Sequence, residues 1–316
     1  MMRRRGVGKD NQFHSNVGIA IYAPHEFWNR SRQIVHRKSQ ITDRVNVLGV
    51  GISVLNLTTA LAAIAAAIRD RRKGYICVTG VHGVMEAQDN DAFKQILNHA
   101  FLCTPDGMPM VWAGRFAGHR DMRRVYGPDL MLAVCAWSEA SGARHFFYGG
   151  AEGVADLLAA KLRERFPKLA VAGTYTPPFR PLNAGELQAL QARITAARPD
   201  ILWVGLSTPK QEKFMSEFLP QLDVTLMIGV GAAFDFHSGR VKQAPRWMQR
   251  SGMEWFYRLC SEPRRLARRY LRNNPLFLWR CLGQLSGLKK YRLEPLAPVG
   301  GTPPPPAPPP NNASPR

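Results

Sequence analysis

Short apolar runs alternate with segments of helical period all the way from Arg44 to Gly231, and no other feature limits the possible folds so tightly. The runs fall at 45–50, 75–79, 100–103, 145–148, 170–174, 201–206 and 226–230. Between them lie stretches such as Leu61, Ile64, Ala65 and Ile68, spaced as one face of a helix, with Thr58 or Thr59 as its N-cap. Further helices are expected over 91–99, after Pro128, and over 153–165 and 184–196, with another after 207–212. Strands that alternate with helices of this length specify an α/β fold. The expected architecture is Rossmann-like: a mostly parallel sheet with helices on both faces, followed by a basic helical C-terminal appendage.

The 316 residues divide by texture. Residues 1–43 are polar and basic without sustained periodicity, and read as a flexible arm. The alternating pattern fills 44–239. Residues 293–316 are proline-rich and read as a disordered tail. Residues 240–292 hold fourteen Lys or Arg against only Glu254 and Glu262, so they carry +12 of a whole-chain charge of +20. Trp247, Trp255, Phe256, Tyr270, Phe277 and Trp279 are interleaved with them. This combination calls for an anionic partner, and the aromatic content favours an anionic membrane surface. Nothing is apolar for long enough to span a membrane. Arg3–Arg5 lack a following apolar region, so no signal peptide is expected. The five cysteines show no CxxC spacing, and most read as small buried hydrophobes in a reducing compartment.

Candidate chemistry gathers where runs end. Asp106, in Thr104-Pro105-Asp106-Gly107, stands on a strand-to-helix turn at the edge where open α/β sheets bind ligands. It reads either as a catalytic base or as the cap of the following helix. Arg124 can clamp a phosphate. His82 can position a hydroxyl, and the Gln211 amide suits a sugar or base edge. Gly49-Val50-Gly51 and Gly229-Val230-Gly231 follow apolar runs, and glycine there lets main-chain N–H groups approach a diphosphate. Arg258, Arg265, Arg268 and Arg272 share one face of a continuous helix. Asp89-Asn90-Asp91 matches the DxD pattern of metal-dependent nucleotide-sugar enzymes, but it adjoins a helix start where Asp is favoured anyway, so no metal site is assigned.

Taken together, these stretches resemble the WecG/TagA/CpsF family of bacterial glycosyltransferases. The resemblance rests on Thr104–Gly107, Arg124–Leu130, Phe147–Gly150, Val204–Glu212, Gly229–Asp235, Ala244–Trp247, Gly252–Leu259 and Glu262–Arg265, in order along 44–290. It leans toward exopolysaccharide members of the xanthan glucosyltransferase type. It implies inverting transfer of a hexose, of glucose or N-acetylmannosamine type, from a UDP-sugar to a saccharide on a polyprenyl diphosphate. The enzyme would be peripheral on the cytoplasmic face of the inner membrane. Asp106 would be the base and Thr79 a second catalytic residue. Arg124, Gln211, Gly229 and Gly231 would bind substrate, with Arg258, Arg265 and Arg268 on the lipid diphosphate. No metal or other cofactor is expected. Gly80-Val81-His82 stands where many members have an Asn, so His82 becomes a candidate acceptor contact. A homo-oligomer is compatible with this reading.

Two rival readings remain at this stage. A nucleotide-cofactor oxidoreductase fits the α/β pattern but lacks GxGxxG with a later acidic partner. A nucleic-acid-binding protein fits the charge but shows no helix-turn-helix, zinc-finger or RNP pattern, and nucleic acid is not an expected partner.

Overall fold

The computed structural model describes residues 43–293. The expected arm and tail lie outside the described residues, apart from Asp43 and Leu293. The chain first forms a hairpin, β1 (Arg44–Val47) and β2 (Val50–Ser53), paired antiparallel. This corrects the single strand expected over 45–50. Leu48 and Gly49 both take positive φ, 53° and 84°, the geometry of a tight hairpin turn. Leu48 is fully buried, so its side chain extends the apolar run through the turn and hides it.

Helix α1 (Leu57–Arg69) follows. Its N-cap is Asn56, with Thr59 at N3 returning the bond. The reciprocal pair is worth about 1 kcal/mol, and it moves the start upstream of the expected cap at Thr58 or Thr59. Next come β3 (Gly74–Thr79), α2 (Val81–Asp89), α3 (Asp91–His99), β4 (Leu102–Pro105), α4 (Met108–Phe116) and α5 (Gly127–Ser141). Beyond them are β5 (Arg144–Gly149), α6 (Val154–Arg165), β6 (Ala170–Tyr175), α7 (Ala184–Ala197), β7 (Ile201–Gly205), α8 (Lys210–Phe218), β8 (Leu226–Gly229) and α9 (Ala233–His237).

β3 to β8 make one parallel sheet in the order β4-β3-β8-β7-β5-β6. Its two faces support separate cores, and the alternation along β7 shows how. Ile201 and Trp203 enter one core with α1, α5 and α6. Leu202 and Val204 enter the other with the hairpin, α2, α3, α7 and α8. Each such buried side chain contributes roughly 1.5–3 kcal/mol. The expected α/β sheet with helices on both faces is what the chain forms.

The basic segment supplies α10 (Arg246–Ser251), α11 (Glu254–Ser261) and α12 (Pro263–Leu285). Arg258 and Arg265 therefore do not share the continuous helix expected for them. Glu262 breaks the run at φ −135°, ψ 57°, and Pro263 starts the next helix at a position suited to proline. The far end of α12 is clamped to the hairpin: Gln284 accepts from Leu48 N at 2.9 Å and donates to Asn46 O at 2.9 Å. Phe277 sinks into the second core.

Candidate active site

The site is built at the carboxyl ends of β3 and β4. In register, Thr79 lies beside Pro105, and Asp106 N donates to Thr79 O at 2.9 Å. The strands come so close here that a Cβ on Gly80 would lie 2.6 Å from Asp106 O, so only glycine fits. Gly107, at φ 108°, then turns the chain into α4. Gly107 itself is the N-cap of α4, and no side chain caps the helix. The capping alternative for Asp106 is therefore not realised. Its carboxylate instead accepts from Arg124 Nη2 at 3.3 Å. The Thr79 hydroxyl is buried between β3 and β4, where it accepts from Cys103 Sγ at 3.2 Å.

Arg124 enters from the segment before α5, which Val125 N staples to β4 by donating to Pro105 O at 3.0 Å. Its Nη2 also donates to Glu254 Oε2 of α11 at 2.6 Å. The other oxygen of Glu254 accepts from the Tyr126 hydroxyl at 2.9 Å. The Tyr126 ring lies 4.0 Å beneath the Arg124 guanidinium, a cation–π contact. One guanidinium nitrogen thus bridges two carboxylates whose side chains are 29% (Asp106) and 12% (Glu254) exposed.

Electrostatics follow from this packing. Withdrawal from water raises the Asp106 pKa to about 6, Arg124 and Arg258 pull it down, and Glu254 pushes it up. Burial opposes the Arg124 charge, but the two carboxylates outweigh it and hold its pKa above the ordinary value. Arg258 of α11 lies over the Phe236 ring at 5.7 Å. An arginine-lined, partly shielded carboxylate with a pKa near 6 can take a proton at neutral pH beside a negatively charged ligand.

The second half of the site is the end of β8. A Cβ on Gly229 would lie 3.1 Å from Gln211 Cδ, and one on Gly231 3.5 Å from Gln211 Oε1, so the amide covers both glycines. Gln211 Nε2 donates to Glu212 Oε1 at 2.9 Å, and Thr208 Oγ1 donates to the same oxygen at 2.9 Å. Glu212 is 1% exposed, and burial raises its pKa. Among the described residues, nine buried side-chain polar atoms have no hydrogen-bond partner; Arg124 Nε, Gln211 Oε1, Glu212 Oε2 and Arg258 Nε, four of them, belong to this edge. Each such orphan calls for a partner that the protein's own side chains do not supply. His82, on α2, lies 3.3 Å from Asn273 Nδ2 of α12; burial and nearby Arg269 lower its pKa to about 4, so it is neutral at physiological pH.

The remaining sequence candidates lie elsewhere. Arg265 and Arg268 are exposed on α12, and Arg265 is held by Glu262 at 2.6 Å. Gly49 and Gly51 belong to the hairpin rather than to a phosphate-binding turn of the sheet. Asp89 pairs with Arg272 at 3.3 Å and Asp91 with Lys94 at 2.6 Å, while Asn90 caps α3. Sequence reasoning missed Glu254, Tyr126 and Glu212 as parts of the site. Each stood inside a motif already singled out, but Glu254 was counted only as an offset to the basic charge. Its partner Arg124 is 130 positions away, and no local pattern reports such a pair.

Comparison with known proteins adds the following. Residues 45–291 match the family model described as "Glycosyl transferase WecG/TagA/CpsF family". An N-acetylglucosaminyldiphosphoundecaprenol N-acetyl-beta-D-mannosaminyltransferase of Bacillus spizizenii is 29% identical over 213 residues, covering 67% of this chain and 81% of the relative. The protein of the same name from Bacillus subtilis is 32% identical over 181 residues, covering 57% of this chain and 68% of the relative.

Proposed function

The chain belongs to the WecG/TagA/CpsF family of glycosyltransferases, and from that premise we propose that it moves a hexose from a UDP-sugar to a saccharide carried on a polyprenyl diphosphate. The hexose is of glucose or N-acetylmannosamine type. The names of the two Bacillus relatives, both acting on a diphosphoundecaprenol-linked N-acetylglucosamine, support the acceptor class.

One observation carries the mechanistic reading: Asp106 stands at the carboxyl edge of the sheet with a pKa of about 6, under Arg124 and near Arg258. In an inverting transfer an acceptor hydroxyl attacks the anomeric carbon. The new C–O bond forms as the bond to the UDP oxygen breaks, UDP leaves with the electron pair, and the hydroxyl proton passes to Asp106. Charge grows on the leaving diphosphate, where arginines stabilise it most. Arg124 and Arg258 take that role, and Gln211 faces the donor across Gly229 and Gly231. Arg265 and Arg268, exposed on α12, meet the lipid diphosphate at the membrane, with the enzyme held peripherally on the cytoplasmic face. Thr79 holds the Asp106 backbone, and neutral His82 contacts the acceptor. No metal is required, because arginines supply the positive charge.

The test is incubation with radiolabelled UDP-glucose or UDP-N-acetylmannosamine and a short-chain prenyl-diphosphate sugar. One label is expected to become lipid-linked, and the label that does so identifies the donor. Oxidation of added NADH with no transfer of either label would return the oxidoreductase reading.

A further inference from the structure

The second carboxylate on Arg124 is the feature that the proposed chemistry leaves unexplained. Glu254 reaches the site from α11, outside the sheet, and places both of its oxygens on site residues: Oε2 on Arg124 at 2.6 Å and Oε1 on the Tyr126 hydroxyl at 2.9 Å. Its hold on Arg124 is shorter than that of Asp106, at 3.3 Å. The guanidinium carbon also lies over the Tyr126 ring, 4.0 Å from its centroid, so the group is held from two sides.

We infer that Glu254 is a positioning residue for the transfer reaction: it draws Arg124 away from full pairing with Asp106 and so keeps Asp106 basic, in register with the docked appendage. A lone Asp–Arg pair would be a poor base, because a full ion pair depresses a carboxyl pKa by roughly one to three units. Sharing the arginine between two acids removes much of that depression, and the nearby negative charge of Glu254 raises Asp106 further. The charged or titratable groups facing Asp106 are Arg124 and Tyr126 before and at the start of α5, Glu254 and Arg258 on α11, and Tyr270 on α12. Among these described residues Glu254 is the only carboxylate. Because it rides on the appendage, this contribution is made only when α11 is seated, and Arg258 on the same helix opposes it in part. Trp255, next in sequence, packs edge-on against Tyr270 at 6.1 Å and ties that seating to α12.

This inference rests on the assignment of Asp106 as the base, and the experiment separates the two. Glu254→Gln keeps the shape of the side chain and removes its charge. The Asp106 carboxyl is titrated directly by ¹³C NMR of the full chain, its signal identified by its absence from Asp106→Asn. The acid limb of kcat/KM is measured in parallel, and hydrogen exchange of α11 reports whether the helix stays docked. In Glu254→Gln the Asp106 midpoint is expected to fall by on the order of one unit, with the acid limb moving by the same amount and α11 still protected. Glu254→Asp, which restores the charge, is expected to recover much of the shift. An unmoved midpoint overturns the inference. So does a shift that comes with loss of protection in α11, because Glu254 would then be only an anchor. Normal turnover by Asp106→Asn would instead defeat the base assignment, a result the NMR midpoint does not depend on.

Discussion

At Asp106, burial and the charge of Glu254 raise the pKa of one carboxyl group while Arg124 and Arg258 lower it, and the raising influences win. With a folded pKa of about 6 and an unfolded value near 3.9, the folded state binds the extra proton between those two pH values. Stability therefore falls as pH rises through that window and stays lower above it. Asp106→Asn removes the penalty, so it is expected to stabilise the fold at pH 7.5 by on the order of 1–3 kcal/mol and to leave stability near pH 4 almost unchanged. The same substitution is expected to cost about 10² to 10⁴ in rate. For the parent enzyme, kcat/KM is expected to rise with pH through about 6 as the base loses its proton. Thermal unfolding at the two pH values and a pH–rate profile check all three. An inactive variant with an equal change in Tm at both would show that Asp106 is not strained in the fold. Asp89 and Asp91 belong at this scale too. Their partners are Arg272 and Lys94, and both aspartates are exposed, where such pairs are worth little. Asp89→Ala with Asp91→Ala is expected to keep most activity, and EDTA to inhibit little. Activity lost to EDTA and restored by Mn²⁺ would make them metal ligands.

The elements show which parts of the structure were legible in the sequence and which were not. β3, β5, β7 and β8 follow the apolar runs closely, because a strand buried on both faces leaves an uninterrupted run, whereas β6, at the sheet edge and only partly buried, follows its run without that reason. The α1 start differs from the one expected because Asn56 and two threonines compete for one cap, and only the reciprocal bond to Thr59 decides between them. No helix is expected over α2, where Gly83 weakens the pattern, although Val81, Val84 and Met85 carry the helical spacing. The break before α12 is signalled in the sequence by Pro263, although the arginine spacing points to one continuous helix. That break has a functional consequence. Arg258 rides on α11 beside Asp106, whereas Arg265 and Arg268 stand exposed on α12. Arg265→Gln with Arg268→Gln is therefore expected to leave folding intact, since exposed substitutions usually change stability by about 0.5 kcal/mol or less. It is expected to raise KM for a soluble prenyl-diphosphate acceptor several-fold, with kcat nearly kept. An unchanged KM would confine these two arginines to the membrane face and leave the diphosphate to Arg124 and Arg258.

At the scale of the whole molecule, the appendage has two sides. Leu266 and Phe277 of α12 are buried against the body, while Leu271, Leu278, Trp279, Leu282 and Leu285 point outward, with Trp279 74% exposed. Their spacing places them in one stripe along the helix, continued by exposed Leu288. Among the described residues no helix is long and apolar enough to cross a membrane. A stripe this apolar beside this much basic charge suits a helix lying in the plane of an anionic interface. Each basic residue at such a surface contributes up to about 1 kcal/mol, and salt screens it beyond roughly 8 Å. Burial of the leucines and Trp279 is not screened. The two contributions therefore separate experimentally. The parent protein is expected to sediment with anionic vesicles and to keep part of that binding in high salt. Leu278→Ser, Trp279→Ser and Leu282→Ser together are expected to leave binding at low salt and abolish it at high salt. Transfer to a soluble short-chain acceptor is expected to survive, because none of the three touches the Asp106 site. If the triple variant binds vesicles like the parent at every salt concentration, the stripe does not enter lipid. If duplex DNA competes the parent off vesicles at equal charge concentration, the basic segment answers to phosphate density rather than to a membrane.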